Sequence, residues 1–121
     1  MRIRDHLYYY RIELVRVIDG DTIECHLDRG HNRWERYVDV RLANFNAPEM
    51  RGTQKLQGEE AKQFLIDLIG DKPLIIRTMK TDNFERFIGR LYVEDEDKDI
   101  DVAEVMVETN HGEPYMIEIN L

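Results

Sequence analysis

From residue 10 to residue 45 the chain repeatedly alternates apolar and polar side chains, which restricts this part to half-buried β-strands. Tyr10, Ile12 and Leu14 alternate with charged residues, and the alternation then shifts by one position so that Val15 and Val17 continue it. Successive side chains of a strand point to opposite faces. A shift of one residue therefore indicates a β-bulge, with which barrels bend their strands. The pattern predicts a bent first strand with one face in a core.

Four more strands follow from the same kind of pattern. Asp19-Gly20 is typical of a tight hairpin turn, and beyond it Ile23, Cys25 and Leu27 share one strand face. Cys25 is therefore expected to be a small core residue rather than a nucleophile. Strands are predicted over residues 22–27, 34–45, 73–79 and 87–93.

Helical periodicity is present in two places. Residues 59–69 carry apolar side chains at helical spacing, and Gly70 is expected to end this helix. A second, short helix is predicted to begin at Asp101. A helix after the third of five strands is the order of an OB-type barrel. The predicted fold is α+β, a five-stranded OB-type β-barrel with two to three helices, in a single domain spanning residues 1–121.

The net charge of the chain and its distribution exclude some classes of function. The net charge of −8 argues against a protein that coats nucleic acid through a broad basic face. Basic and acidic residues balance up to Arg51, however, and the acidic excess lies beyond it. Most of the basic residues are arginines, which grip phosphate bidentately. A few focused arginines with a metal cation would suffice for an enzyme that must release its product.

The start of the chain and its cysteine content favour a cytoplasmic or other intracellular location. Residues 1–6 carry charges but no apolar segment follows them, so a secretory signal is not expected. There is no apolar run long enough to span a membrane. Cys25 is the only cysteine, and a lone thiol fits a reducing compartment.

Three separated clusters contain residues suited to phosphate chemistry. They are Asp19-Gly20-Asp21-Thr22, then Arg41-Leu42 with Asn46-Ala47-Pro48-Glu49, and finally Asp82-Asn83-Phe84-Glu85-Arg86. Each cluster alone has a structural explanation: a hairpin turn, a cross-strand ion pair with a solvated turn, and a loop arginine. The histidines offer no rival site, because they are dispersed and lack metal-ligand spacing.

Taken together, the clusters resemble the staphylococcal-nuclease family in order, spacing and strand context. The resemblance covers roughly residues 10–115 and is carried by residues 15–22, 41–49, 58–69 and 82–86. It implies a metal-dependent nuclease that hydrolyses phosphodiester bonds of DNA, RNA or both, with calcium as cofactor and products that carry 3′-phosphates.

The resemblance also implies a metal site. Asp21 matches a calcium-binding carboxylate, and Ala47 falls where a backbone carbonyl binds the metal. Asn46 stands where the family usually has a second metal-binding aspartate. An amide oxygen can still bind calcium but brings no charge. We therefore expect calcium to be held more weakly, or another divalent ion to be accepted.

The remaining roles implied by the resemblance concern water, phosphate and nucleotide. Glu49 matches the general base that activates water, and Arg41 and Arg86 match the arginines that hold the phosphate and stabilise the transition state. Phe84, at the aromatic position of the third cluster, and Tyr115 are expected to contact substrate.

An alternative interpretation is a catalytically weakened barrel that binds single-stranded nucleic acid or a protein partner. The presence of Asp21, Arg41, Glu49 and Arg86 together favours the enzyme, whereas Asn46 and the acidic net charge favour the binding module. The end of the chain, residues 115–119, is open between a strand and a dimer contact, and the oligomeric state is open as well.

Overall fold

The computed structural model describes residues 2–83 and 86–115. Its central feature is a sheet with the strand order β3-β2-β1-β5-β6-β7, in which β3 also pairs in parallel with β6. This additional pairing closes five strands into a barrel. The predicted α+β fold, an OB-type barrel with two α-helices, is therefore confirmed. The strands of this sheet are β1 (Tyr9–Asp19), β2 (Thr22–Gly30), β3 (Arg33–Leu42), β5 (Leu74–Thr81), β6 (Phe87–Asp95) and β7 (Lys98–Asp101).

The bulge predicted in the first strand is present. The pairing of β1 with β2 shifts register between Leu14 and Arg16, so Val15 has no partner of its own and is 38% exposed. Beyond the bulge, Val17 is buried again. The shift in alternation thus keeps apolar residues in the core on both sides of a bend.

The predicted third strand is too long. β3 ends at Leu42, and the backbone turns through Ala43 and Asn44 before the short strand β4 (Phe45–Asn46). The amide of Ala43 donates to the carbonyl of Gly89 (2.8 Å), and Asn44 has a φ of 75°, which turns the chain away from β2. β4 then pairs with β8 (Glu113–Pro114) in a separate two-stranded sheet. Apolar patterning cannot reveal such a change of partner.

The helices lie close to their predicted positions. α1 (Lys55–Ile69) begins earlier than predicted, because a 3-10 turn over Gly52–Gln54 leads directly into it. It ends at Gly70, whose φ of 52° favours glycine. α2 (Val102–Glu108) begins as predicted after Asp101, whose carboxylate accepts the amide of Ala103 at 3.0 Å.

The core fills the barrel and the space under both helices. Apolar residues of α1, α2 and the strands form one cluster, in which the predicted inward face of β2 is fully buried. Cys25 belongs to this cluster, and burial raises the pKa of its thiol to about 12, so the thiol is inert. Within residues 2–83 and 86–115, neither helix combines the length and the hydropathy needed to cross a bilayer.

A close contact joins α1 to the segment that follows β4. Gly58 is buried on α1, and a Cβ atom at this position would lie 2.2 Å from the carbonyl oxygen of Glu49 and 2.9 Å from the Cα atom of Met50. Both atoms belong to the backbone, which cannot move aside as a flexible side chain can. A residue without a side chain at position 58 therefore sets how closely Glu49 approaches the helix.

Replacement of Gly58 by alanine tests this contact. Helix propensity alone predicts that Gly58→Ala stabilises the protein by about 0.5–1 kcal/mol. We expect the opposite, a loss of about 1–3 kcal/mol, because the new methyl group has to displace the backbone at Glu49. Urea unfolding followed by circular dichroism measures the difference. Gln57→Ala, at the exposed neighbouring position, serves as the control and is expected to change stability by less than about 0.5 kcal/mol. A stabilised Gly58→Ala variant would contradict the contact.

Candidate active site

The first predicted cluster forms a two-residue turn between β1 and β2. Gly20 and Asp21 occupy this turn, and the amide of Asp21 donates to the carboxylate of Asp19 (3.0 Å). A Cβ atom at Gly20 would lie 2.6 Å from the Cβ atom of Ala47 and 2.9 Å from that of Ala61. The turn therefore packs directly against the second cluster and against α1, which only glycine allows.

Asp21 is the centre of the contacts that join the first two clusters. One of its carboxylate oxygens, Oδ2, accepts the amide of Ala47 at 2.9 Å and lies 3.4 Å from Nη2 of Arg41. The hydroxyl of Thr22 donates to the other oxygen at 3.3 Å. The side chains of Asp21 and Arg41 are each only 15% exposed, so water screens this ion pair poorly.

The charge of Asp21 is costly in this setting. Burial, followed by the hydrogen bond with Asp19, raises the pKa of Asp21 to about 6, although Arg41 and the amide of Ala47 act in the opposite direction. At neutral pH the group is mainly ionised but incompletely compensated. A half-buried carboxylate of this kind is suited to a cation.

Arg41 connects Asp21 to Asn46. Its position on β3 is opposite Thr22, and its guanidinium donates to the amide oxygen of Asn46 and to the carbonyl of Leu42. Asn46 itself is exposed on the short strand β4. The guanidinium therefore lies between the predicted metal ligands.

Glu49 lies beside these residues in a groove of about 700 Å³. Its side chain is exposed, and its amide donates to the side-chain oxygen of Gln54 at 3.2 Å. The groove brings together acidic and amide side chains from three parts of the chain. It is lined by Asp19, Asp21, Asn46, Ala47, Pro48, Glu49, Gln54, Asn110, Gly112 and Glu113.

Arg86 lies in an adjoining depression of about 380 Å³, which also contains Arg41 and Asn46. Asp82 holds Arg86 in place: one carboxylate oxygen accepts the backbone amide at 3.0 Å, and the other accepts Nε at 2.7 Å. Tyr115 is half-exposed in the same depression, and its amide donates to the carbonyl of Asn44 at 3.1 Å.

The structure thus brings together most of the predicted site residues. Asp21, Arg41, Asn46, Ala47 and Glu49 line or border one groove, while Arg86 and Tyr115 lie in the depression next to it. Phe84, the other predicted substrate contact, lies outside the described residues. Among the described residues, no group of three or more His, Cys, Asp or Glu side chains has an arrangement that could hold a metal ion.

Several lining residues were given no role from the sequence. Asp19 could have been suspected, because two acids flank one glycine in the first turn. Gln54, Lys80 and Asn110 carried no local signal, since only the folded chain brings them next to residues distant in sequence. The ring of His111 stacks on Phe64 with centroids 4.0 Å apart, so this histidine takes part in packing.

The protein is an OB-type barrel that brings carboxylates and arginines together at one site. Comparison with known sequences identifies the family to which it belongs. A family model described as Staphylococcal nuclease homologue matches residues 39–115. This match covers more than half of the chain, and the protein belongs to the staphylococcal nuclease family.

Individual relatives agree with this assignment. Protein ParB of Escherichia coli is 35% identical over 83 residues, which is 69% of this chain and 42% of that protein. Micrococcal nuclease of Shigella flexneri is 32% identical with the same coverage. An uncharacterized endonuclease of Escherichia coli O157:H7 is 30% identical over 68% of this chain and 48% of its own length. The chain spans less than half the length of these curated relatives.

The raised pKa of Asp21 makes the free energy of unfolding depend on pH. Because its pKa is raised in the folded protein, the unfolded chain ionises first, and wild type loses stability as the pH rises from about 4 towards 6. Asp21→Asn keeps an acceptor for Ala47 without the charge. We expect the variant to be more stable than wild type above pH 6, on the order of 1–2 kcal/mol.

Urea unfolding of both proteins at a series of pH values checks this expectation. The advantage of Asp21→Asn is expected to shrink as the pH falls from 6 to 4, because folded wild-type Asp21 takes up its proton in this range. An advantage that stays constant with pH, or a variant less stable than wild type at pH 7, would show that ionised Asp21 is well compensated.

Proposed function

We propose that the protein is a metal-dependent nuclease that hydrolyses phosphodiester bonds of DNA, RNA or both. The observation that supports this proposal best is the groove that holds Asp21 and Glu49, directly beside the depression that holds Arg41 and Arg86. The ion pair between Arg41 and Asp21 joins the two. A barrel that merely binds nucleic acid has no need of half-buried acids beside phosphate-binding arginines, because the acids oppose the approach of a polyanion.

A divalent cation, with calcium as the first candidate, fits the donors of the groove. Asp21, the side-chain oxygen of Asn46 and the carbonyl of Ala47 would hold it, and hard cations prefer oxygen ligands. The raised pKa of Asp21, caused mainly by burial, marks a carboxylate that lacks a full counter-charge. When bound, such an ion acts as a Lewis acid and neutralises phosphate charge.

Glu49 is the proposed general base. Its side chain is exposed at the rim of the groove, where water and substrate both have access. The hydrogen bond from its amide to Gln54 and the close contact with Gly58 fix its backbone. A carboxylate held in this way can take a proton from a water molecule that attacks phosphorus.

Arg41 and Arg86 are the proposed phosphate-binding groups. They approach from β3 and from the start of β6, and Asp82 orients Arg86 through two hydrogen bonds. In the transition state, two guanidiniums can donate to oxygens on which negative charge develops. We further propose that Tyr115 and Phe84 contact the nucleotide, since Tyr115 is exposed beside Arg86.

A second candidate function is a binding module with little catalytic power. One observation favours it: Asn46 brings no charge to the metal ligands, and its amide oxygen already accepts a hydrogen bond from Arg41. Such a module would bind single-stranded nucleic acid in the presence of a chelator, with an affinity that falls steeply as salt rises.

Replacement of Glu49, the proposed base, distinguishes the nuclease from the binding module. With labelled single-stranded DNA and RNA and added calcium, we expect wild type to cut at least one substrate and a chelator to stop the reaction. Glu49→Gln should lower the rate by about 10²–10⁴, because an amide cannot accept the proton from water.

Glu59→Gln is the matched control, since Glu59 is exposed on α1 outside the groove and loses the same charge. Its activity should stay close to that of wild type. Full activity of Glu49→Gln would exclude Glu49 as the base, and the absence of cutting by wild type at any calcium concentration would favour the binding module.

The neutral side chain at position 46 can be tested separately from activity. Asn46→Asp adds a charged ligand, and we expect it to tighten calcium binding by at least about tenfold. The rise of Tm with calcium concentration reports this affinity without substrate. Asn44→Asp, two residues earlier on the turn and outside the groove, adds the same charge and should not tighten binding. Equal calcium responses of wild type and Asn46→Asp would remove residue 46 from the metal site.

A further inference from the structure

The outer face of β5 and β6 carries arginine and tyrosine side chains that the proposed reaction does not use. Ile76 and Leu91 point into the core, so the residues that alternate with them point outward. On β6 these are Arg90 and Tyr92, and on β5 they include Arg77. This face is therefore chemically different from the apolar interior behind it.

Strand register connects this face to the candidate active site. Ile88 pairs with Lys80, and both line the depression that contains Arg86. The next outward pair along the ladder is Arg90 opposite Arg77. Beyond it lies Tyr92, so the register of the strands defines a path along β6 that starts at the depression and leads away from it.

The arginine pair has an excess of positive charge. Like charges directly opposite each other on neighbouring strands repel. Arg90 is paired with Asp101 and also lies near Glu104, whereas among the described residues no carboxylate oxygen lies within 4.0 Å of the Arg77 guanidinium. The positive charge that remains is therefore mainly that of Arg77, and an anion beside Arg77 would balance it.

Two tyrosine rings extend the path. The guanidinium carbon of Arg77 lies 5.4 Å from the ring centre of Tyr9, and that of Arg90 lies 5.7 Å from the ring centre of Tyr92. The two rings are 6.2 Å apart and border a groove of about 370 Å³, which Asp5 and Asp99 also line. Carboxylates repel phosphate but can accept hydrogen bonds from base amino groups, so this end suits bases.

We propose that these four residues, Tyr9, Arg77, Arg90 and Tyr92, form an arginine–tyrosine strip that binds the substrate strand beyond the scissile phosphate. A phosphate would lie on the arginine pair, and a base would stack on the tyrosines. The path from Ile88 to Tyr92 is about 13 Å long, which about four stacked nucleotides of one strand would span. The ligand is thus a single-stranded nucleic acid, and the inference rests on the proposed function.

Substrate length provides the test. Cleavage of oligodeoxyadenylates of 3 and 12 nucleotides is compared for wild type, Arg77→Gln and Tyr92→Leu, after Tm has shown that each variant is folded. We expect both variants to lower kcat/KM for the 12-mer about fivefold and to leave that for the 3-mer within a factor of two, because the 3-mer does not reach the strip.

A binding readout accompanies the kinetics. In chelator, fluorescence anisotropy with the 12-mer gives the dependence of affinity on salt, and Arg77→Gln should reduce the slope of log K against log salt by about 0.7, as expected for the loss of one phosphate contact. Arg36→Gln is the matched control, because Arg36 also lies over an aromatic ring, that of Trp34 at 5.0 Å, but near the opposite end of β3 from Arg41.

The outcomes separate the strip from the nuclease. If Arg77→Gln and Tyr92→Leu cut and bind the 12-mer as Arg36→Gln and wild type do, the proposal that the strip binds the strand is wrong. The proposal of nuclease activity is then unaffected. If wild type cuts neither substrate and does not bind the 12-mer, the proposed function fails and the strip fails with it. Equal losses for the 3-mer and the 12-mer would assign these residues to folding of the site rather than to an extended strand, and would also overturn the strip.

Discussion

Closure of the barrel by the parallel pairing of β3 with β6 is the constraint on which the site depends. Val40 pairs with Phe87 and Arg41 with Ile88, although the two strands are far apart in sequence. This pairing removes two exposed strand edges. It also brings Arg41 next to the start of β6, where Arg86 is held by Asp82. Two arginines from separate hairpins thereby face adjoining parts of one surface, and the barrel core holds them there.

Two glycines determine where the acids lie relative to these arginines. Gly20 lets the first turn pack against Ala47, which allows the amide of Ala47 to reach the carboxylate of Asp21. Gly58 lets α1 pass directly against the backbone of Glu49. Both acids are on irregular segments, yet contacts with the buried face of α1 limit their movement. The rigidity that a reaction site requires thus comes from packing rather than from the turns themselves.

The sequence predicts the elements of this fold better than it predicts their ends. The shift in alternation at Val15 revealed a bulge, because it reflects a local choice between core and solvent. The end of β3 at Leu42 and the start of α1 at Lys55 were misplaced. The end of β3 depends on contacts with a distant segment, such as the hydrogen bond from Ala43 to Gly89. The start of α1 follows from the 3-10 turn over Gly52–Gln54, which apolar periodicity does not reveal.

The candidate site likewise contains residues that the sequence predicts and residues that it does not. Asp21, Arg41 and Glu49 lie in local sequence patterns, and the structure places the two acids in one groove and Arg41 in the adjoining depression. Gln54 and Asn110 join that groove only because folding brings α1 and the end of α2 beside it, and no pattern in the chain indicates this. The chemical roles of all these residues stay predictions until the variants are measured.

Local charge, rather than the net charge of −8, decides whether a polyanion can approach this surface. Charges separated by more than about 8–10 Å contribute little in physiological salt. Near the groove, the neutral Asn46 therefore has two opposing effects in the proposed site. It weakens the hold on a cation, but its amide also leaves the guanidinium of Arg41 less neutralised than a carboxylate would. Arg41 already pairs with Asp21, and a second acid at position 46 would compete with a phosphate for the same donors. In the proposed site, the amide would thus lower metal affinity and leave Arg41 able to bind substrate.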